Sequence, residues 1–192
     1  MKLVTIVGVG ALGSHLVLLA RNWPVHVRVV DFDRVEAKNI QSQFHTKMGQ
    51  GKNKAKAIQQ AMLGMFKWQI QAMSTKLTDN NQVPLFSESD LIIDCTDNYE
   101  ARTLIKDYCD DIALPCLHGC LSADGQFARI VWTEHFTPDM ENEEGGATCE
   151  DGRNLAFHVQ AAAMIAQVAS KWMETEKRES WQITPFSVVR LT

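Results

Sequence analysis

The chain has no surplus of basic residues: 19 lysines and arginines stand against 23 aspartates and glutamates, for a formal charge of −4. Without a basic excess to neutralise phosphates it does not read as a general nucleic-acid binder. Nor does any apolar run approach the ~20 residues that a membrane span needs, so no membrane partner is expected. Lys2 and the apolar run behind it imitate a secretory leader. Three glycines and His15 interrupt that run, however, and no small-residue cleavage pattern follows before Arg21-Asn22-Trp23-Pro24. The five cysteines are odd in number and include no Cys-x-x-Cys pair. They read as the reduced thiols of a cytoplasmic protein rather than as a disulfide framework. Cys116 and Cys120 flank His118, but a tetrahedral zinc needs four ligands, and no zinc site is expected. Repeats, low-complexity tracts and linkers are absent as well. What remains, 192 residues that are 45% apolar and 22% charged, is enough to bury a core, and it reads as one domain over residues 1–192.

The most informative stretch lies at the start. Leu3-Val4-Thr5-Ile6-Val7 runs straight into Gly8-Val9-Gly10-Ala11-Leu12-Gly13, and an apolar helical pattern follows through Leu19. That is a strand, a tight turn and a helix. Gly8 permits the turn, Gly10 lets a pyrophosphate approach the backbone, and Gly13 lets helix and strand pack closely. The helix start then offers N–H groups to phosphate. A glycine fingerprint alone is weak, but a second apolar run, Val25 to Val30, ends at Asp31, eighteen residues after Gly13. An acid at that distance accepts hydrogen bonds from a ribose hydroxyl pair. Asp33 is either a second ligand or a turn-former.

Further along, residues 34–51 read as a long polar loop with a short helical turn, of the length that usually carries function. Lys52 is read as opening a helix that runs to about Leu63, with Ala55, Ile58 and Met62 on its buried side. Cations are unfavourable at a helix start, so an anion bound there would explain one of Lys52, Lys54 and Lys56, and Lys54 and Lys56 are assigned to a solvated face. A strand is expected at 67–74 and a loop at Gln82-Val83-Pro84. Asp90-Leu91-Ile92-Ile93-Asp94-Cys95-Thr96-Asp97-Asn98 reads as a buried strand ending in a polar cluster, followed by a helix over 98–112. In open α/β sheets ligands lie beyond the carboxyl ends of the strands, which is where Asp31 and Asp97 fall. Asp97 suits oxygen ligation of Mg²⁺ beside a triphosphate, while Thr96, Asp97 or Asn98 also suits a helix cap. Strands at 115–119 and 126–133 flank a turn at Ala123-Asp124-Gly125. An acidic stretch from Glu134 to Asp151 contains Cys149. A helix over 153–173 is apolar on two stripes, so it is expected between its own sheet and a partner subunit, and Trp181 to Leu191 reads as one final strand.

Together these motifs resemble the ThiF/MoeB/HesA family, the adenylating domain related to ubiquitin-activating enzymes. The resemblance lies in Gly8 to Ser14; in Asp31-Phe32-Asp33-Arg34-Val35-Glu36 running to Asn39 and Gln43; in Gly49-Gln50-Gly51-Lys52; and in Asp94-Cys95-Thr96-Asp97-Asn98 with Arg102. It covers residues 3–133 and is traceable through Cys149 and the Ala-rich helix. It implies an α/β, Rossmann-like fold: a mostly parallel twisted sheet with helices on both faces and antiparallel strands in the C-terminal part. It also implies ATP- and Mg²⁺-dependent adenylation of the C-terminal glycine carboxylate of a small ubiquitin-like or sulfur-carrier protein ending in Gly-Gly, by a homodimer. By motif position Gly8, Gly10, Ala11, Leu12 and Gly13 would cradle the nucleotide. Asp31 would hold the ribose and Asn39 and Lys52 the phosphates, with Asp33 and Gln43 among the other nucleotide-binding residues. Thr96, Asp97 and Asn98 would complete the site, with Asp97 on Mg²⁺. Catalysis would rest on Lys52 and Asp97, and on Cys149 if the activated carrier passes to a thiol.

The sequence departs from the family pattern in three ways. Ser42 stands where the loop motif usually carries an arginine. The arginine that relatives donate across the dimer from a helix before the first strand has no counterpart in these residues. The paired Cys-x-x-Cys zinc motifs are absent. At Cys149 the neighbouring Glu150 and Asp151 oppose a thiolate, while the following helix start favours one. Two other readings share part of the evidence. A nicotinamide-dependent oxidoreductase would use the fingerprint and Asp31 but does not call for Lys52 or the Asp94–Asn98 cluster. A non-catalytic ATP- or carrier-binding module would suit the missing arginines.

Overall fold

The computed structural model describes residues 1–122, 124–138 and 152–191. Among them runs one eight-stranded sheet in the order β3-β2-β1-β4-β5-β6-β7-β8. Its centre is parallel: β1 (Leu3–Val7) lies between β2 (His26–Val30) and β4 (Leu91–Asp94), with β3 (Gln71–Met73) outside β2 and β5 (Cys116–Leu121) outside β4. β6 (Ala128–Trp132), β7 (Ser180–Thr184) and β8 (Ser187–Leu191) extend it antiparallel. β1 and β4 are apolar throughout except for Thr5 and Asp94, because both faces of a parallel sheet are covered.

Helices supply that cover. On one face α1 (Gly13–Leu19), α2 (Lys54–Phe66) and α5 (Leu155–Thr175) bury Leu16, Ile58, Met62, Ile165 and Trp172 against Val4, Ile6, Val29, Ile93 and Leu117. On the other, α3 (Gln82–Phe86) and α4 (Tyr99–Asp111) bury Phe86, Ile105 and Cys109 against Val7, Val30 and Ile92. The fold is therefore the mixed α/β sheet expected from the sequence. No helix among the described residues is long and apolar enough to cross a membrane.

Several local expectations are corrected. The first helix is shorter, giving way to a 3₁₀ turn at Ala20–Asn22 before Pro24. Gln82-Val83-Pro84 begins α3, since a proline in the first turn surrenders no helical hydrogen bond. The last strand is a hairpin, broken at Pro185-Phe186 into β7 and β8. α5 packs on α1 as well as on the sheet, while Leu155 and Val159 of its first apolar stripe stand 36% and 37% exposed. The second helix starts at Lys54 rather than Lys52, because the side chain of Asn53 accepts the Lys56 N–H and caps it. That two-residue difference decides which lysine reaches the site.

Candidate active site

The sheet order reverses between β1 and β4, and beyond the carboxyl ends of these strands lies a cavity of about 880 Å³. The glycine turn forms one wall. Gly8 has φ +82°, and a Cβ on it would stand 2.8 Å from the Cys95 carbonyl oxygen. A Cβ on Gly13 would be 1.9 Å from the Gly8 carbonyl oxygen, so Gly13 serves the close packing of turn and helix and lies off the cavity wall. Gly10 has open space, with only Gln43 Nε2 at 3.9 Å from the position of a Cβ, which leaves its backbone open to approach. Gly8, Gly10, Ala11 and Leu12 all line the cavity.

Asp31 follows β2 directly and is buried, yet lines the same space. Its Oδ2 accepts the Val9 N–H at 2.8 Å and its Oδ1 the Asp33 N–H at 2.8 Å. Burial pushes its carboxyl above the usual range, against the Val9 hydrogen bond and nearby Lys54, which pull it down. Each carboxylate oxygen accepts more than one bond, so Asp31 anchors the glycine turn and keeps acceptor capacity toward the cavity. Asp33 lines the cavity and pairs with Lys54, Nζ to Oδ2 3.1 Å. Asn39 lines it too, with Oδ1 accepting the Glu36 N–H at 2.9 Å, so the amide nitrogen is its remaining donor group. Gln43 lines this wall, with its Nε2 beside Gly10 and its Oε1 buried without a hydrogen-bond partner among the described residues.

The opposite wall is the segment after β4. Thr96, Asp97 and Asn98 line it; Asn98 Oδ1 caps α4 through the Ala101 N–H at 2.8 Å, and Asp97 is exposed to the cavity. The Arg102 guanidinium closes back on the Thr96 carbonyl, from Nε at 3.1 Å and Nη2 at 2.8 Å.

Of the residues expected from the sequence, Lys52 as well as Gly13 lies off the wall: the Nζ of Lys52 donates to Gln60 Oε1 at 2.9 Å. Lys54, assigned to a solvated face, is 8% exposed and lines the cavity. Reading Asn53 as the cap would have placed Lys54 there from the sequence. Lys76 and Arg102 line the cavity as well, so three cationic side chains face it where two arginines were missed. Lys76 pairs with Glu100, 3.2 Å apart. Ser42, at the departed arginine position, is fully buried and off the wall. Cys149 lies outside the described residues, as do Ala123 and residues 139–151 of the acidic stretch. Cys95, Cys109 and Cys116 are buried core thiols, and burial pushes Cys95 and Cys116 well above the ordinary thiol range. No group of three or more potential metal ligands occurs among the described residues.

A glycine turn, an acid after β2, a buried lysine and an exposed aspartate after β4 thus meet around one cavity. The sequence pattern described as "ThiF family" matches residues 2–182. The chain belongs to the ThiF family. Among its relatives, the probable adenylyltransferase/sulfurtransferase MoeZ of Mycobacterium tuberculosis (strain CDC 1551 / Oshkosh) is 29% identical over 134 residues, covering 68% of this chain and 34% of MoeZ. The adenylyltransferase and sulfurtransferase MOCS3 of Drosophila persimilis is 32% identical over 130 residues, covering 64% of this chain and 28% of that one. This chain therefore spans about a third of the length of these relatives. Among solved structures, E. coli MccB with MccA-N7isoASN superposes with a TM-score of 0.80 at 16% identity, over 100% of this chain and 64% of that one. E. coli MccB with ATP does so with a TM-score of 0.77 at 15% identity, over 100% and 63%. At such identities the likeness is one of fold.

Proposed function

We propose that this chain catalyses ATP-dependent adenylation of the C-terminal glycine carboxylate of a small ubiquitin-like or sulfur-carrier protein. The observation that carries the reading is Lys54, a lysine buried on the wall of a Rossmann-type cavity, where it pairs with Asp33 and lies near the Asp31 carboxyl. A buried ammonium is kept only where it has opposite charge to face, and on this wall the polyphosphate of ATP would add to what Asp33 and Asp31 supply. An oxidoreductase reading leaves Lys54 and Asp97 without work.

In this reading Asp31 and Asp33 hold the ribose, Gly10 and the backbone beside it admit the phosphates, and Asn39 and Gln43 complete the nucleotide wall. A carrier carboxylate oxygen attacks the α-phosphorus in line, the bond to the bridging oxygen breaks, and pyrophosphate leaves with that electron pair. Lys54, Lys76 and Arg102 offset the charge that develops, and catalysis is otherwise positioning. Asp97 fits Mg²⁺ as one hard oxygen ligand, the remainder coming from phosphates and water, because no cluster of protein ligands among the described residues stands by to complete a shell. Bound there, the ion would neutralise the departing pyrophosphate. A homodimer and a transfer of the activated carrier to Cys149 are the remaining parts of the proposal.

The test is mass spectrometry of a carrier ending in Gly-Gly after incubation with the protein, ATP and Mg²⁺. A gain of one AMP on the carrier, lost with Asp97→Ala at unchanged circular dichroism, supports the reading. ATP binding with no carrier adduct would favour the non-catalytic module.

A further inference from the structure

Behind Thr96 lies a buried polar network that the cavity does not reach. His118 is the β5 register partner of Asp94 at the end of β4, and both are withdrawn from water. A carboxylate in such a place is unfavourable unless fully hydrogen-bonded. Asp94 accepts from His118 Nδ1 at 2.8 Å through Oδ2, and from the Thr96 N–H at 2.9 Å and the Thr96 hydroxyl at 2.7 Å through Oδ1. Burial alone would push the Asp94 carboxyl up; the bonds from His118 and Thr96 outweigh it and hold the carboxyl below its ordinary value. An ionised carboxylate only accepts, so Nδ1 of His118 carries the proton. On the far side, His118 Nε2 stands 2.9 Å from Thr133 Oγ1, and the ring stacks on Phe136 with centroids 3.8 Å apart.

If this network served only to join β4 to β5 it would be redundant, because the backbone ladder already pairs Ile92 with Cys116 and Ile93 with Leu117. Its other end is the informative one. Thr96 gives its N–H and hydroxyl to Asp94, and its carbonyl is held by two nitrogens of Arg102. Every polar group of the residue immediately before Asp97 is thereby committed. A site residue placed on a loop acts reproducibly only when its supporting groups are locked in this way.

We propose that His118 is a positioning residue: through Asp94 and Thr96 it fixes the backbone that presents Asp97 to the cavity. The proposal rests on the adenylation reading. It makes a specific demand on the side chain, because the donor that matters is at the Nδ1 position. The amide nitrogen of asparagine occupies that position, whereas that of glutamine reaches the place of Nε2 and leaves Asp94 without its donor.

The experiment compares His118→Asn and His118→Gln in ATP–pyrophosphate exchange driven by a Gly-Gly carrier, with AMP affinity measured in the absence of Mg²⁺ as the control for an intact cavity. The expected result is that H118Q loses about 10–100-fold in kcat and needs more Mg²⁺ for half-maximal rate, at unchanged AMP affinity. H118N retains most of the wild-type kcat although it is the smaller side chain and forfeits the stacking on Phe136. Equal loss in both variants, the reverse order, or no loss in H118Q overturns the proposal while leaving adenylation standing. Absence of exchange by the wild-type protein with any such carrier overturns the adenylation reading, and this proposal falls with it.

Discussion

Two lysines two residues apart separate the accounts of this site at the scale of single residues. Lys54 is buried against the cavity beside Asp33, and Lys52 is exposed and bonded to Gln60. Lys54→Ala should lower the exchange rate by about 10²–10³-fold, the cost of removing one preorganised contact to developing charge, and Lys52→Ala should leave it near the wild-type rate. Equal effects of the two would remove Lys54 from its assigned place. A second residue-scale expectation concerns stability. His45 donates from Nε2 to the Val9 carbonyl at 2.9 Å, behind the glycine turn, and burial pushes its imidazole down to about 4. An unfolded chain titrates near ~6.5. Between those values the unfolded state binds the extra proton, so stability is full above the unfolded value and is lost as pH falls toward the folded one. The loss is at most ~3 kcal/mol from this residue. His15 is shifted in the same direction by its burial. Urea titrations at about pH 4.5 and 7 should show a smaller pH difference in His45→Gln than in the wild type, and an unchanged difference would contradict the assignment.

The start of α2 is where one side chain organises an element. Asn53 Nδ2 donates to the carbonyls of Asp31 at 2.8 Å and Asp33 at 3.1 Å, while its Oδ1 caps the helix through Lys56. One residue therefore ties the end of β2 to the start of α2 and sets Lys54 against Asp33. Asn53→Ala should cost about 1–2 kcal/mol in thermal or urea unfolding, the usual range for a lost cap, and should reduce exchange by more than that destabilisation explains. Wild-type activity in the folded variant would show that Lys54 does not depend on this tie. The same element shows why part of the site was hard to read from the sequence. Hydrophobic periodicity located α2, but a boundary is set by a cap whose acceptor and donor partners are long-range, and Asp31 and Asp33 are twenty or more positions away. The β7–β8 hairpin was hidden for a related reason. Val188 and Val189 are about half exposed on a strand with a single neighbour, so no alternation marked Pro185-Phe186 as a break between two strands. His118 was invisible as a partner of Asp94 because sheet register, not sequence spacing, brings them together.

For the molecule as a whole, the glycine turn, Asp31 and the cluster after β4 were legible because the parallel centre of the sheet places all strand ends of one kind on one side. The β1–β4 reversal then converts three separate motifs into one cavity. β5, the last parallel strand, adds Gly119 and Leu121 to the wall and Ser122 follows it, residues with no motif of their own. Since this chain spans about a third of its curated relatives, what it accomplishes by itself is the central question. The measurement that addresses it most directly is ATP–pyrophosphate exchange by the purified chain, with and without carriers ending in Gly-Gly. The account predicts exchange that requires both Mg²⁺ and a free C-terminal glycine carboxylate. Exchange indifferent to the carrier, or none at all despite measurable ATP binding, would contradict it.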